Sequence, residues 1–472
     1  MPGLVCGGNY GTIFITLVKT HPMNRILLPL LVVLASLSAH AQKYATRVIK
    51  DKLFIPWEII YGPDNHIWFT QKNGYICRLD PISKDLDTLL QVTENVINGE
   101  GGMLGMALHP SFSTNPYVYV VYEYNKAGSY TEKVVRYTYS GSSLGSPVVL
   151  LDNIKGASIH NGARLLIVGD KLFISTGDAA VMATAQDLSS LNGKTLRINL
   201  DGSIPADNPI AGSPVWNWGQ RNVQGMVYAH GNLYSSMHGA STDDEINILV
   251  KGRNYGWPSV EGLCDKPSEV TFCTDSNVVE PIHTWTPTIA PAGLDFYDHP
   301  MFPDLRGSLI MATLKEQRLY QLKLNATFDD ISLVKVLDSV KAGRLRDICI
   351  SPTGSIFIST SNSLASGTGS VTDDRIIELY NPDFTAVPEV ANSLGITIAP
   401  NPSDGLLSIQ PAQPLNGTGT YLIYSVDGRV LSGGRLESGG QQLDISNLAS
   451  GLYLLHMSHP SAGTYVARIV RN

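Results

Sequence analysis

Along most of the chain, apolar and polar residues alternate in short runs bounded by turns. Six runs share one form: a turn, an alternating apolar stretch, then small polar residues. They read DNHIWFTQK, NPYVYVVYE, GDKLFISTGD, HGNLYSSMHG, RGSLIMATLK and TGSIFISTSN. Each is followed by a second run: YICRLDP, KVVRYTYS, KTLRINLDG, DEINILV, RLYQLKLN and RIIELYNP. Alternation with a period of two places side chains on opposite faces of an extended strand. The copies begin near residues 64, 115, 169, 230, 306 and 353. Such spacing, roughly 50–75 residues, is in the range of propeller blades and similar modules. Six copies predict a six-bladed β-propeller over about 45–382. The longest gap holds CDKPSEVTFC, which reads as an inserted polar loop.

The pattern changes at both ends. NPDFTAVPEVANSLG, rich in small residues and proline, predicts a linker over 383–392. After it come ITIAPNPSDGLLSIQ, YLIYSVDGRVLSGG, LDISNLASGLYLLHM and TYVARIVRN, short strands with Asp-Gly and Ser-Gly turns. They predict a small β-sandwich over 393–472. At the other end, MNRILLPLLVVLASLSAHAQ begins at Met23 with Arg25, an apolar run, and Ala39-His40-Ala41 before Gln42. This reads as a signal peptide, with residues 1–41 as the leader and Met23 as its natural start. No other stretch has the length and apolarity of a membrane span. The expected class is therefore all-β: an exported, soluble propeller followed by a small sandwich.

Composition adjusts this picture in three ways. The net charge of −7 lacks the basic footprint of a nucleic-acid binder. Gly 44 and Pro 27 suit a chain full of turns. Five cysteines occur; Cys6 lies in the leader, and Cys77 and Cys349 sit in apolar strand patterns as buried thiols. Cys264 and Cys273 bracket the inserted loop, and export favours a disulfide between them. No C-x-x-C-H occurs, so no covalent haem is signalled. GEGGMLG (99–105) has Leu104 where a dinucleotide fingerprint needs its third glycine. GSSLG (141–145) lies in a polar turn, not on a strand-to-helix elbow.

A propeller gathers loops from every blade at one mouth, so its chemistry is scattered in sequence. Five stretches stand out: SIHNGARLL with His160; NWGQRNVQG with Arg221 and Asn222; SMHGASTDDEINILVKGRNYGWP with His238, Asp243, Asp244, Glu245 and Tyr255; ATLKEQ with Lys315; and GRLRD with Arg344 and Arg346. Strand alternation puts Arg344 and Arg346 on the face that continues as Ile348 and Ile350. Four cations, one candidate base and an acidic, carbonyl-rich loop suit a polyanionic ligand with a hard cation such as Ca²⁺.

These stretches resemble the soluble PQQ-dependent glucose and aldose sugar dehydrogenases. The resemblance spans the propeller and rests on GEGGMLGMALHPSF, IHNGARL, LRINLDGSIPADNP, QRNVQG, DDEINILVKGRNYGWP, WTPTIAP, the Lys315 strand end and RLRD. It implies that His160 is the general base for the anomeric hydroxyl while hydride goes to the quinone C5. It implies that Arg221 and Asn222 contact the quinone carbonyls, and that Lys315, Arg344 and Arg346 hold the cofactor's carboxylates. The carbonyls of Gly239 and Ala240 would bind the Ca²⁺ that grips the quinone. Glu245 and Tyr255 would form a second Ca²⁺ site, with Asp244 close by. Glu100 and Thr288 fall at substrate-facing positions. The partners implied are a small aldose and an electron acceptor that the residues do not specify.

Four positions depart from the glucose-specific members. Ile159 replaces an acidic residue before His160, Glu100 replaces an amide, Thr286 stands where an aromatic platform is expected, and Ala240 replaces a proline. The first three favour a broad aldose specificity. A Ca²⁺-dependent lactonase has no use for the Lys/Arg cluster, and a non-catalytic sugar-binding propeller has no use for His160. Residues 393–472 resemble the C-terminal sorting domain of type IX secretion substrates, on APNPSDG, DGRV, L-x-x-GLY and ARIVRN. That resemblance implies contact with the secretion machinery during export.

Overall fold

The computed structural model describes residues 44–363, 373–384, 394–425, 429–460 and 463–472. The expected leader, its cleavage point and nearly all of the expected linker lie outside these residues. Among the described residues between 45 and 380, the chain forms six four-stranded antiparallel sheets. Five are built from consecutive strands, over 56–91, 103–155, 162–218, 223–285 and 291–337. The sixth is composite. Leu345–Ile350, Ile356–Thr360 and Asp374–Tyr380 take the strand Ala45–Leu53 as their outer member, with Ala45 opposite Tyr380.

The sheets form a cycle. The first strands Pro56–Tyr61, Met103–Leu108, Gly162–Val168, Val223–Ala229, Pro291–Tyr297 and Leu345–Ile350 each touch the next, and the last touches the first. Six apolar clusters fill the wedges between neighbouring sheets. Tyr119, Ile174 and Leu196 sit in one, and Phe302, Leu319 and Ile358 in another. Each sheet is therefore covered on both faces, which is why Ser308–Thr313 is buried at every position. Burying one large apolar side chain contributes about 1.5–3 kcal/mol, so the wedges dominate the energetics.

The six expected repeat strands are the second strand of each sheet, and the runs that follow them are the third. Two expectations need correction. CDKPSEVTFC is not an irregular loop: Pro267–Asp275 is an α-helix, with Pro267 in its first turn and Glu269 bonded back to Lys266. Nor does the alternation of GRLRD run on. The ladder slips between Leu345 and Asp347, so Leu345 and Ile348 share one apolar cluster while Arg346 turns away from it. Such a bulge inserts one residue and flips every side chain after it.

Beyond residue 394, two further sheets share one apolar cluster that includes Ile396, Leu407, Ile423, Leu455 and Ile469. One holds Ile396–Ala399, Leu406–Pro411 and Gln441–Asp444; the other has Gly419–Ser425 and Gly451–His459 at its centre. Among the described residues, no helix is long and apolar enough to cross a membrane.

Candidate active site

His160 ends the turn before the first strand of the third sheet, at φ 61°. A left-handed backbone is strained for histidine and persists only where its surroundings hold it. Two bonds do so. The His160 N–H donates to Glu100 Oε2 at 2.9 Å, and its carbonyl accepts the N–H of Ala179 at 3.1 Å. The ring Nδ1 lies 2.7 Å from Oδ1 of Asp178, which is fully buried. This carboxylate places the ring proton on Nδ1 and leaves the Nε2 lone pair free to take a proton. Asp178 is fixed in turn by the Trp257 indole N–H at 2.9 Å and the Ala180 N–H at 2.9 Å.

A cavity of about 220 Å³ opens among Trp57, Lys72, Glu100, Gln224, Arg344 and Arg346. Arg346 donates from Nη1 to Gln224 Oε1 at 2.7 Å and lies 5.5 Å over the Trp57 ring. Its Nε is buried without a partner. Burial, and then the charge of Arg344, push Arg346 down to about 10. Arg344 donates from Nε to the Ser361 carbonyl at 3.1 Å, and burial lowers it too. Lys72 is 3% exposed and donates to the Gly99 carbonyl. Burial, followed by Arg346, brings its amine down to about 8. Arg221 stacks 5.3 Å over Trp257 and carries a second buried, unpartnered Nε. Cations held below their ordinary range, with donors left over, are poised for an anion.

The other expected residues divide. Asn222 is buried, and its Oδ1 accepts the Gly162 N–H and the Gln224 amide, each at 3.0 Å. Lys315 is exposed, 2.6 Å from Thr288 Oγ1, and does not line the cavity. His238 lines it, with Nε2 2.8 Å from the Pro291 carbonyl. Asp244 is structural: it accepts the N–H groups of Gly239, Ile289 and Ala290 at 2.8, 2.6 and 2.7 Å. Those bonds hold the loop of Gly239 and Ala240 in place. Thr286 is tied to Asp243 at 2.9 Å. Glu245 is buried, accepts from Asn247 at 2.7 Å and from the Gly262 N–H at 3.1 Å, and is pushed up by burial to about 8. Beside it Asn247 Oδ1 is a buried oxygen without a donor. The Tyr255 phenol donates to the Ile248 carbonyl and accepts the Val250 N–H, each at 2.7 Å. Cys264 and Cys273 are bridged, and Cys77 and Cys349 are buried free thiols.

Asp178 and Lys72 are absent from the sequence-based set. A signal for Lys72 exists: it follows the second strand of its sheet, as Lys315 does in another. Asp178 follows the second strand of the third sheet in STGD.

Residues 53–368 match the family model for glucose / sorbosone dehydrogenase. The chain belongs to the glucose/sorbosone dehydrogenase family. Among relatives of this dehydrogenase, quinoprotein glucose dehydrogenase B of Acinetobacter calcoaceticus is 30% identical over 429 residues, 71% of this chain and 89% of that protein. Aldose sugar dehydrogenase YliI of Escherichia coli is 29% identical over 369 residues, 73% of this chain and 97% of that one. The PQQ-bound structure of an aldose sugar dehydrogenase from Streptomyces coelicolor superposes with a TM-score of 0.61 at 30% identity, covering 72% of this chain and 98% of that one. The protein is an enzyme with a β-propeller fold. Its residues 397–472 match the secretion system C-terminal sorting domain, which marks it for export by type IX secretion.

Proposed function

We propose that the protein is a PQQ- and Ca²⁺-dependent dehydrogenase that oxidises aldoses at the anomeric carbon to lactones. The observation that carries this reading is a cavity lined by Lys72, Arg344 and Arg346, lying beside the loop that pairs His160 with buried Asp178. The buried, unpartnered Nε atoms of Arg346 and Arg221 fit a tricarboxylate quinone. Guanidinium forks pair with carboxylates in a bidentate way, and charge assistance makes such bonds strong.

When bound, PQQ supplies the hydride acceptor, and Ca²⁺ polarises the accepting carbonyl. The chain's own residues do the rest. Arg344, Arg346 and Lys72 hold the carboxylates, with Lys315 nearer the rim. Arg221 and the Asn222 amide face the quinone oxygens. The Gly239 and Ala240 carbonyls hold the catalytic Ca²⁺. Glu245 and Tyr255, beside the orphaned oxygen of Asn247, hold a structural one. His160 takes the anomeric proton at Nε2, and Asp178 stabilises the imidazolium that results. Glu100 and Thr288 face the sugar. Glu100, Ile159 and Thr286 favour a broad range of aldoses over glucose alone.

The architecture proposed is a leader over 1–41, a six-bladed propeller over 42–382, a linker over 383–392 and a sorting β-sandwich over 393–472. The deciding experiment adds PQQ and CaCl₂ to apo-protein and follows the quinone absorbance before and after an aldose. Reduction by sugar supports the reading. Hydrolysis of a lactone without PQQ would replace it with the lactonase reading. Sugar binding without reduction would leave a non-catalytic propeller.

A further inference from the structure

Two carboxylates outside the cavity have no place in the proposed reaction. Glu123 and Glu132 face each other across the hairpin of Tyr117–Lys126 and Ser129–Tyr139, and both are fully buried. Among the described residues, both oxygens of Glu132 and Oε2 of Glu123 lack any hydrogen-bond partner. The fourth oxygen, Glu123 Oε1, has only the Asn98 side-chain amide at 3.5 Å. Lys133, next in sequence, turns instead to Glu94 at 2.9 Å. The Lys72 amine donates to the Gly99 carbonyl and makes no hydrogen bond to either carboxylate, although its charge acts on Glu123.

Like charges directly opposite on a strand pair are destabilising, and buried carboxylates stay charged only when paired or bound to metal. The Glu123 carboxylate is also wedged in place. A Cβ on Gly101 would lie 1.7 Å from its Oε2, and one on Gly156 2.5 Å from its Oε1. These two glycines leave the space that the carboxylate occupies.

We propose that Glu123 and Glu132 bind a hard divalent cation of the Ca²⁺ class, with the Asn98 side chain as a third oxygen donor. Ca²⁺ takes carboxylates and amide oxygens in flexible geometry. A half-turn of the Asn98 amide exchanges its nitrogen for its oxygen with little change in shape. Burial pushes the Glu123 carboxyl up to about 7 and raises Glu132 well above the ordinary carboxylate range, which a cation would reverse. The ion fastens the hairpin to the 98–102 loop. That loop carries Glu100, whose carboxylate holds the His160 N–H. The site is thus a structural tie behind the catalytic histidine, and it stands whether or not the quinone reading does.

The test is a count of bound Ca²⁺ by equilibrium dialysis of PQQ-free protein against about 1 mM CaCl₂, where extracellular sites fill. Wild type should bind one equivalent more than Glu132→Gln or Glu123→Gln. Both variants should lose part of the Ca²⁺-dependent rise in melting temperature. Equal counts, with variants as stable as wild type or more so, would overturn the site and leave a carboxyl pair sharing a proton. Should neither variant fold, hydrogen exchange of the wild type decides. Slower exchange over 119–135 on adding CaCl₂ supports the site, and unchanged exchange there overturns it.

Discussion

His160 has two supports that act differently, and mutation separates them. His160→Ala should leave PQQ affinity nearly intact, because the cationic cavity remains, while turnover falls by about two to four orders of magnitude. Asp178→Asn keeps the packing but no longer stabilises the imidazolium. It should lower kcat with little change in KM, by about one to two orders of magnitude. Steady-state kinetics with saturating PQQ checks both. Lys72 yields a pH prediction. Its folded value of about 8 lies below the ordinary lysine value of 10.5. Between those pH values the unfolded chain holds a proton that the folded chain lacks, so apo-protein stability from this group rises with pH across that window. Below it the buried ammonium costs stability. An anion that pairs with the ammonium should therefore bind with proton uptake near pH 8 and weaken as pH rises further. Calorimetry of PQQ binding in buffers of different ionisation enthalpy measures this. Arg344 and Arg346, which line the cavity, and His160 beside it could be picked out as candidates because they lie in long motifs. Asp178 and Lys72 were not, since an acid after a glycine and a lysine after a strand read as ordinary turn residues. Only the fold reveals that both are buried.

At the scale of single elements, the strand Leu345–Ile350 carries the clearest consequence. Arg344→Ala or Arg346→Ala should weaken PQQ binding about ten- to a hundredfold, or roughly 1.5–3 kcal/mol. Lysine at either position should rescue only part, because it lacks the planar fork. Apo-protein melting should hold or rise, since burial already holds Arg346 down at about 10. PQQ titration with parallel melting curves decides the matter; unchanged affinity with a large loss of stability would make these arginines structural. The helix Pro267–Asp275 carries Cys273, which is bridged to Cys264 just before it. Breaking the bridge with Cys273→Ser should lower stability by about 2–3 kcal/mol, read by denaturant unfolding. The second and third strands of each sheet were readable because they are long, apolar and flanked by turns. First strands hid behind buried polar positions, such as Arg164, which pairs with Glu58 at 2.6 Å and Asp347 at 3.0 Å on two other first strands. Outer strands such as Leu86–Gln91 expose much of their length and lack the pattern.

For the whole molecule, every residue assigned to chemistry lies before position 363. A truncated protein of residues 42–390 should fold and, with PQQ and Ca²⁺, turn over aldoses like the full chain. Loss of activity in a folded truncation would mean that the C-terminal sheets contribute to the site. The join between Ala45–Leu53 and Asp374–Tyr380 sets a different constraint. The strand that closes the cycle emerges first in synthesis, and its partner is nearly the last propeller element made. Until they meet, Asp374–Tyr380 presents a free backbone edge, the kind of template that recruits other chains. Closure across so long a stretch is also slow to find. The propeller therefore gains a closed ring and a completed mouth only once nearly all of it has been made.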